Sequence, residues 1–164
     1  MGQRRKARES ALQILYQLEF DEMDAGEAHD AFWRKRRAPA GAKDYCLRLV
    51  EGISSHQKEI DEAIQSISEH WRIARMALID RNILRLAAFE LLRDRSIPPA
   101  IVINEAIEIA KKYSGPEAAI FVNGILDALR KKIQTETDAE REVNDVRKDR
   151  QEGRRGSRRR SQKD

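Results

Sequence analysis

Residues 118–133, Ala118-Ala119-Ile120-Phe121-Val122-Asn123-Gly124-Ile125-Leu126-Asp127-Ala128-Leu129-Arg130-Lys131-Lys132-Ile133, decide the fold class. Two readings compete here. Asn-Gly between apolar residues is the strongest short-range signal for a tight β-hairpin. Against it, apolar side chains fall at Ala118, Phe121, Val122, Ile125, Leu126, Leu129 and Ile133, the three-and-four spacing of one helix face. The flanks also carry Ala, Leu, Asp, Arg and Lys where a strand favours β-branched residues and Thr. Periodicity sustained over the whole stretch outweighs one dipeptide, so the segment is read as helix. Asn and Gly inside a helix each cost roughly 0.5–1 kcal/mol relative to Ala. Their presence points either to a neighbouring helix approaching closely at Gly124 or to a polar contact made by Asn123.

Working outward, the same periodicity recurs. Ala7, Ala11, Ile14, Leu15 and Leu18 form one apolar stripe, and Ile60, Ile64, Ile67 and Trp71 form another. Residues 77–93 are apolar around most of the circumference, interrupted mainly by Asp80, Arg81, Asn82, Arg85 and Glu90, as expected of a central helix packed on several sides. Breaks fall at Met23 to Glu27, at Ala38-Pro39-Ala40-Gly41, around Ser54-Ser55, before Pro98-Pro99 and at Ser114-Gly115-Pro116. Six or seven helices result, in an all-α, single compact bundle.

The composition suits one modest core with a polar excess: 164 residues, 40% hydrophobic, 37% charged and 5% aromatic. No apolar run is long enough to span a membrane, and the opening Met-Gly-Gln-Arg-Arg-Lys lacks the apolar stretch of a secretory signal, so a cytoplasmic location is expected. Cys46 is the single cysteine and reads as a small buried hydrophobe. One domain and a tail are expected, a helical domain over 1–133 and a charged tail over 134–164. The tail has no large apolar side chain beyond Val143 and Val146, and eight acidic residues stand against ten basic ones. Such a segment buries too little to offset its ordering entropy and should be disordered or frayed helix. Its Arg-rich end either adds nonspecific phosphate contacts or simply keeps the chain in solution.

A net charge of only +4 says little about nucleic acid, so the placement of the cations matters more. Arg4, Arg5, Lys6 and Arg8 sit in the first turns of the first helix, where the macrodipole disfavours positive charge. Helix stability does not explain them. Spacing of three and four sets Arg5, Arg8, Leu12 and Tyr16 along one helix edge, cations in line with a ring able to stack on a base. A solvated helix start with Tyr16 at the core margin fits the same residues. Substituting Arg5 and Arg8 should, on this reading, leave folding intact.

Catalytic signals are missing. There is no glycine-rich phosphate loop, no cysteine pair and no nucleophile elbow, and His29, His56 and His70 lack the spacing of metal ligands on one helix face. Glu105 and Glu108 read as a solvated face, with Lys112 available to Glu108. No cofactor is implied.

Several strings are more specific than helical periodicity requires. They are Val102-x-Asn104-Glu105-Ala106-x-Glu108-x-Ala110-Lys111; Phe121-Val122-Asn123-Gly124-x-Leu126-Asp127; Arg4-Arg5-Lys6-Ala7-Arg8-Glu9 with Ala11-Leu12-Gln13-Ile14-Leu15-Tyr16; Asp80-Arg81-x-Ile83-Leu84-Arg85-Leu86-Ala87 with Glu90-Leu91; and Pro98-Pro99. In order and spacing they resemble the NusB family of bacterial transcription antitermination factors, over about residues 3–133.

The resemblance implies a protein that binds the boxA element of ribosomal RNA transcripts together with the tenth small-subunit ribosomal protein. With other Nus factors it would help RNA polymerase pass termination signals. Carried over by position, RNA binding falls to Arg4, Arg5, Lys6, Arg8, Tyr16, Glu117, Phe121 and Asn123, and partner binding to Asp80. One departure stands out: Ala118 and Ile120 occupy positions where the family often has a small hydroxyl residue and a lysine. Two rival readings are a helical module fused to a ribosomal RNA methyltransferase, which needs a further Rossmann-like domain, and a protein-interaction or homodimer module without RNA specificity.

Overall fold

A computed structural model describes the backbone of residues 2–160 and the side chains of residues 2–156. Seven α-helices form among these residues: α1 (Gln3–Leu18), α2 (Ala25–Trp33), α3 (Ala40–Ser55), α4 (Gln57–Ile67), α5 (Leu78–Arg93), α6 (Pro99–Tyr113) and α7 (Pro116–Arg160). A single 3-10 turn, Ile73–Arg75, lies between α4 and α5. All the expected breaks separate helices, and residues 118–133 are helical through Asn123-Gly124.

The local reasons are visible in the sequence. Asp24 caps α2, its carboxylate accepting from the N–H groups of Gly26 (3.1 Å) and Glu27 (3.3 Å). Pro99 opens α6, where a missing N–H costs nothing. Gly115 adopts φ +117°, which L side chains resist, and so lets the chain turn from α6 into α7.

The chain divides into two compact units, Met1–Arg130 and Lys131–Asp164. In the first, α5 is the centre: residues 82–91 are all buried, whichever face they occupy. Its polar members therefore need partners. Arg85 donates to both Asp61 oxygens (2.7 and 2.9 Å) and to Glu19 (2.9 Å), while Asn82 donates to Glu19 and to the Leu78 carbonyl. Arg81 completes the cluster on Glu19 at 2.6 Å. Of the residues that interrupt the apolar run, Arg81, Asn82, Arg85 and Glu90 thus tie α5 to α4, to α1 and to Glu19 at the end of α1.

Glycine plays a packing role elsewhere than expected. A side chain at Gly124 would meet nothing within 4 Å and Asn123 is exposed, so the close-approach reading of Gly124 is corrected. At Gly52 the Phe89 ring occupies the space a Cβ would need, and α3 lies against α5 there. Cys46 is fully buried, as expected, and burial pushes its thiol up to about 11.

In the second unit the backbone is helical through Arg160, and every side chain from residue 138 to 156 is exposed. The expected tail extends past this point, and residues 161–164 lie outside the described residues.

Candidate nucleic-acid interface

The helix directions place the functional residues. Arg8 meets Glu90 and Glu19 meets Arg81, so α1 runs antiparallel to α5; Arg5 meets Glu105 and Gln13 meets Tyr113, so α1 runs parallel to α6. One end of the bundle therefore gathers the start of α1, the end of α5 and the start of α6. The opposite end gathers the finish of α1, the start of α5 and the α6–α7 turn.

At the first end the arginine-rich start divides into two groups. Arg8 is buried and donates Nε and Nη2 to the two Glu90 oxygens, each at 2.8 Å. Burial pulls the pKa of Arg8 down, but hydrogen bonding and charge from Glu90 outweigh it, and the guanidinium is held more basic than usual. Arg5 makes the same two-bonded pair with Glu105, at 2.7 and 2.9 Å, but remains about a third exposed. The hydrogen bond from Arg5 is the main reason the Glu105 carboxyl lies below its usual range. Arg4 and Lys6 are exposed, with Arg4 over the Tyr45 ring at 5.5 Å from its centroid.

The expected open edge of Arg5, Arg8, Leu12 and Tyr16 is thus corrected: Arg8 and Leu12 are buried, leaving Arg5 and Tyr16 as separate accessible points about 16 Å apart along α1. Lys112 is likewise not the partner of Glu108. It donates to both oxygens of Glu9 at 3.1 Å, while Lys111 takes Glu108.

At the second end Tyr16, 40% exposed, packs edge-to-face with Phe20, 66% exposed. A cleft of about 360 Å³ opens at this end between the loop before α5, the first turn of α5 and the start of α7. Its lining includes Trp71, Asp80, Ser114, Glu117, Ala118 and Phe121. Asp80 accepts from Ser114 Oγ at 2.6 Å, which fixes the carboxylate across the α6–α7 turn. Trp71 stands edge-on to Phe121, centroids 6.3 Å apart, and is 55% exposed. Its stripe position is corrected: α4 stops at Ile67, and Ser68 and Gln65 hold the following loop by donating to the Trp71 carbonyl. Ile120 is 74% exposed beside Phe121.

Asp80, Glu117 and Phe121, expected to serve different ligands, therefore share one cleft, whereas Asn123 is exposed but does not line it. Phe20 and Trp71 were missing from the sequence expectation. A large aromatic residue beside a predicted helix end, in a chain with few aromatics, is the signal that could have marked either one. The histidines do not gather: His29 contacts the Lys43 carbonyl, His56 the Gly52 carbonyl, and His70 is exposed. Among the described residues no group of three or more His, Cys, Asp or Glu side chains could hold a metal ion, and no helix is long and apolar enough to cross a membrane.

Comparison with known proteins decides the family. The model of the NusB family matches residues 5–131, which contain the buried Arg8–Glu90 pair, the Arg5–Glu105 pair and the aromatic cleft. The chain belongs to the NusB family. The transcription antitermination protein NusB of Syntrophus aciditrophicus is 47% identical over 138 residues, covering 84% of this chain and 86% of that one. NusB of Myxococcus xanthus is 46% identical over 132 residues, covering 77% and 94%. Among solved structures, T. maritima NusB superimposes with a TM-score of 0.71 at 37% identity, covering 78% of this chain and 90% of that one. A chain from the crystal structure of antitermination factors NusB and NusE in complex with dsRNA gives 0.72 at 32% identity, covering 80% and 98%. The seven-helix, all-α architecture is that of these NusB structures.

The strings that mark the family now have a physical account. Glu90 of the central string neutralises Arg8 of the first, and Glu105 of the Asn-Glu-Ala string neutralises Arg5.

Proposed function

We propose that this chain is a transcription antitermination factor that binds boxA RNA of ribosomal RNA transcripts together with the tenth small-subunit ribosomal protein, NusE, and so promotes transcription of ribosomal RNA operons. The observation that carries the proposal is the near-complete coverage of a NusB chain solved with NusE and dsRNA. The action is assembly with RNA, NusE, other Nus factors and RNA polymerase in the cytoplasm, not catalysis.

The residues divide the work. Arg4 and Lys6, both exposed, and Arg5, whose guanidinium Glu105 holds at the margin, meet phosphates. Tyr16, Phe121 and the added Trp71 offer ring faces for unpaired bases, the usual basis of single-strand recognition. Glu117 and Asn123 lie near Phe121 in α7 and offer polar groups to base edges. Arg8 serves by anchoring α1 to α5. Asp80 faces NusE from the other side of the same cleft, so RNA and protein partner meet there and each stabilises the other's position.

Fluorescence anisotropy of the purified protein on labelled boxA RNA, with and without NusE, tests this. Binding that is selective for boxA over a scrambled RNA and tightened by NusE is expected. Equal binding to both RNAs, unchanged by NusE, would leave only a helical interaction module.

A further inference from the structure

A second basic segment lies outside every string that resembles the family. Arg34-Lys35-Arg36-Arg37 follows α2, and all four residues are exposed. Cations are favoured at a helix C-terminus, and Arg36 is accounted for in that way: Nη1 donates to the Phe32 carbonyl at 2.6 Å and the guanidinium lies over the Phe32 ring at 3.9 Å. That contact fixes the loop but does not use Arg34, Lys35 or Arg37. Among the described residues none of these three has an acidic partner, whereas Arg5, Arg8, Arg81, Arg85 and Arg93 are each paired with a carboxylate.

Tertiary packing brings this segment to the start of α1. Trp33, the residue before the cluster, lies under the Lys43 ammonium at 5.8 Å, and His29 of α2 contacts the Lys43 carbonyl at 3.0 Å. On the far side of the loop, Gly41 lies so close to Gln3 that a Cβ there would come within 2.8 Å of its Oε1. The Arg4 guanidinium lies over Tyr45 of the same helix. The end of α2, the start of α3 and the start of α1 thus share one end of the bundle. Their cations, Arg4, Lys6, Arg34, Lys35, Arg37 and Lys43, converge from segments about thirty residues apart in sequence. Asp94, at the end of α5, interacts with Arg4, and Asp30 and Asp44 are the acids within the second stretch, which leaves the cations in excess. An excess of positive charge at one end, with Arg34, Lys35 and Arg37 lacking acidic partners among the described residues, is what a polyanionic ligand would engage.

We infer that the loop after α2 extends the nucleic-acid surface, with Arg34, Lys35 and Arg37 gripping phosphates of the RNA strand next to the segment recognised through α1 and the cleft. The inference rests on the RNA-binding reading above. The contacts are to the backbone alone, so they add affinity without adding sequence preference.

The test compares parent protein, an Arg34→Gln/Lys35→Gln/Arg37→Gln variant and an Arg34→Lys/Arg37→Lys variant. RNAs are a minimal boxA oligonucleotide, the same sequence with flanking nucleotides on both sides, and a scrambled long RNA. Removing one cation from a single-strand phosphate flattens the log-affinity against log-salt plot by about 0.7, so the glutamine variant should lose about two units of slope on both long RNAs. Between 50 and 200 mM salt the parent should then weaken about fifteen-fold more than the variant. The lysine variant should keep the parental slope. Thermal unfolding identical for all three excludes a folding cause. An unchanged slope in the glutamine variant, with the parent still preferring boxA, overturns this inference and leaves the proposed function standing. A parent that binds none of the RNAs overturns both.

Discussion

Arg8 of α1 and Glu90 of α5, 82 positions apart in sequence, form a fully engaged ion pair, both carboxylate oxygens at 2.8 Å from the guanidinium and both side chains buried. A pair of this kind contributes little compared with apolar residues of the same shape, yet losing one member leaves the other charged and unpartnered in the interior.

Arg8→Ala should therefore destabilise the fold by about 3–5 kcal/mol, although the sequence alone suggested that α1 cations could be removed without cost. Urea unfolding followed by circular dichroism measures this. An Arg8→Met/Glu90→Leu double variant should be clearly more stable than Arg8→Ala, since no charge is stranded. Equal losses in the two variants would place the cost in packing and not in the unpaired carboxylate.

Arg5 behaves differently because its pair with Glu105 is partly solvated. Arg5→Ala should cost no more than about 1 kcal/mol of stability while weakening RNA binding and lowering its salt slope. Glu105→Gln leaves the guanidinium free for phosphate, so RNA affinity should rise. A fall in affinity with the fold intact would show that Arg5 needs its carboxylate to be held in position.

In the cleft, two variants separate the ligands. Asp80→Lys should weaken NusE association by on the order of 1–3 kcal/mol through charge reversal at a partly desolvated site. Trp71→Ala should weaken RNA binding by about 1–3 kcal/mol if a base stacks there. Calorimetry with each ligand decides the matter. Because Asp80 also receives the Ser114 hydroxyl, Asp80→Asn retains an acceptor there and serves as the structural control.

Acid should act through Glu105 and Asp94, both held below their ordinary values: Glu105 chiefly by the Arg5 hydrogen bond and Asp94 chiefly by that of Ser96. A depressed carboxyl contributes stability that is present above its unfolded pKa and lost as pH falls through the folded one. The contribution of these two groups should thus be flat from neutral pH down to the ordinary carboxyl values of 4.5 and 3.8 and decline below them. Glu105→Gln should shallow that decline, as read from unfolding midpoints between about pH 6 and 3.

Deleting residues 134–164 should leave the thermal midpoint of the remaining chain within about 2 °C of the parent, because the side chains of residues 138–156 are all exposed. A larger drop would show the segment docked on the helical domain.

The amino-acid sequence by itself determined that the chain is helical and where most of its helices break, though not that α4 stops at Ile67 or that α7 runs on to Arg160. Spacing of three and four from Ala118 to Ile133 outweighed Asn123-Gly124, and Pro98-Pro99 and Ser114-Gly115-Pro116 punctuated the chain where the structure does. Those outcomes are local, since backbone torsion preferences and the burial of one helix face act within a few residues of each other. The same sequence could not say which cation meets which acid. Arg5 and Arg8 lie one turn apart in α1, yet one remains accessible and the other is enclosed, because α5 brings Glu90 to Arg8 while α6 brings Glu105 to the margin at Arg5. Trp71 continued an apolar stripe in the sequence and left it in space, once Ser68 and Gln65 had ended α4 and turned the indole toward Phe121. Charge neutralisation and cleft formation depend on groups tens of residues apart, and only the packed helices bring them together.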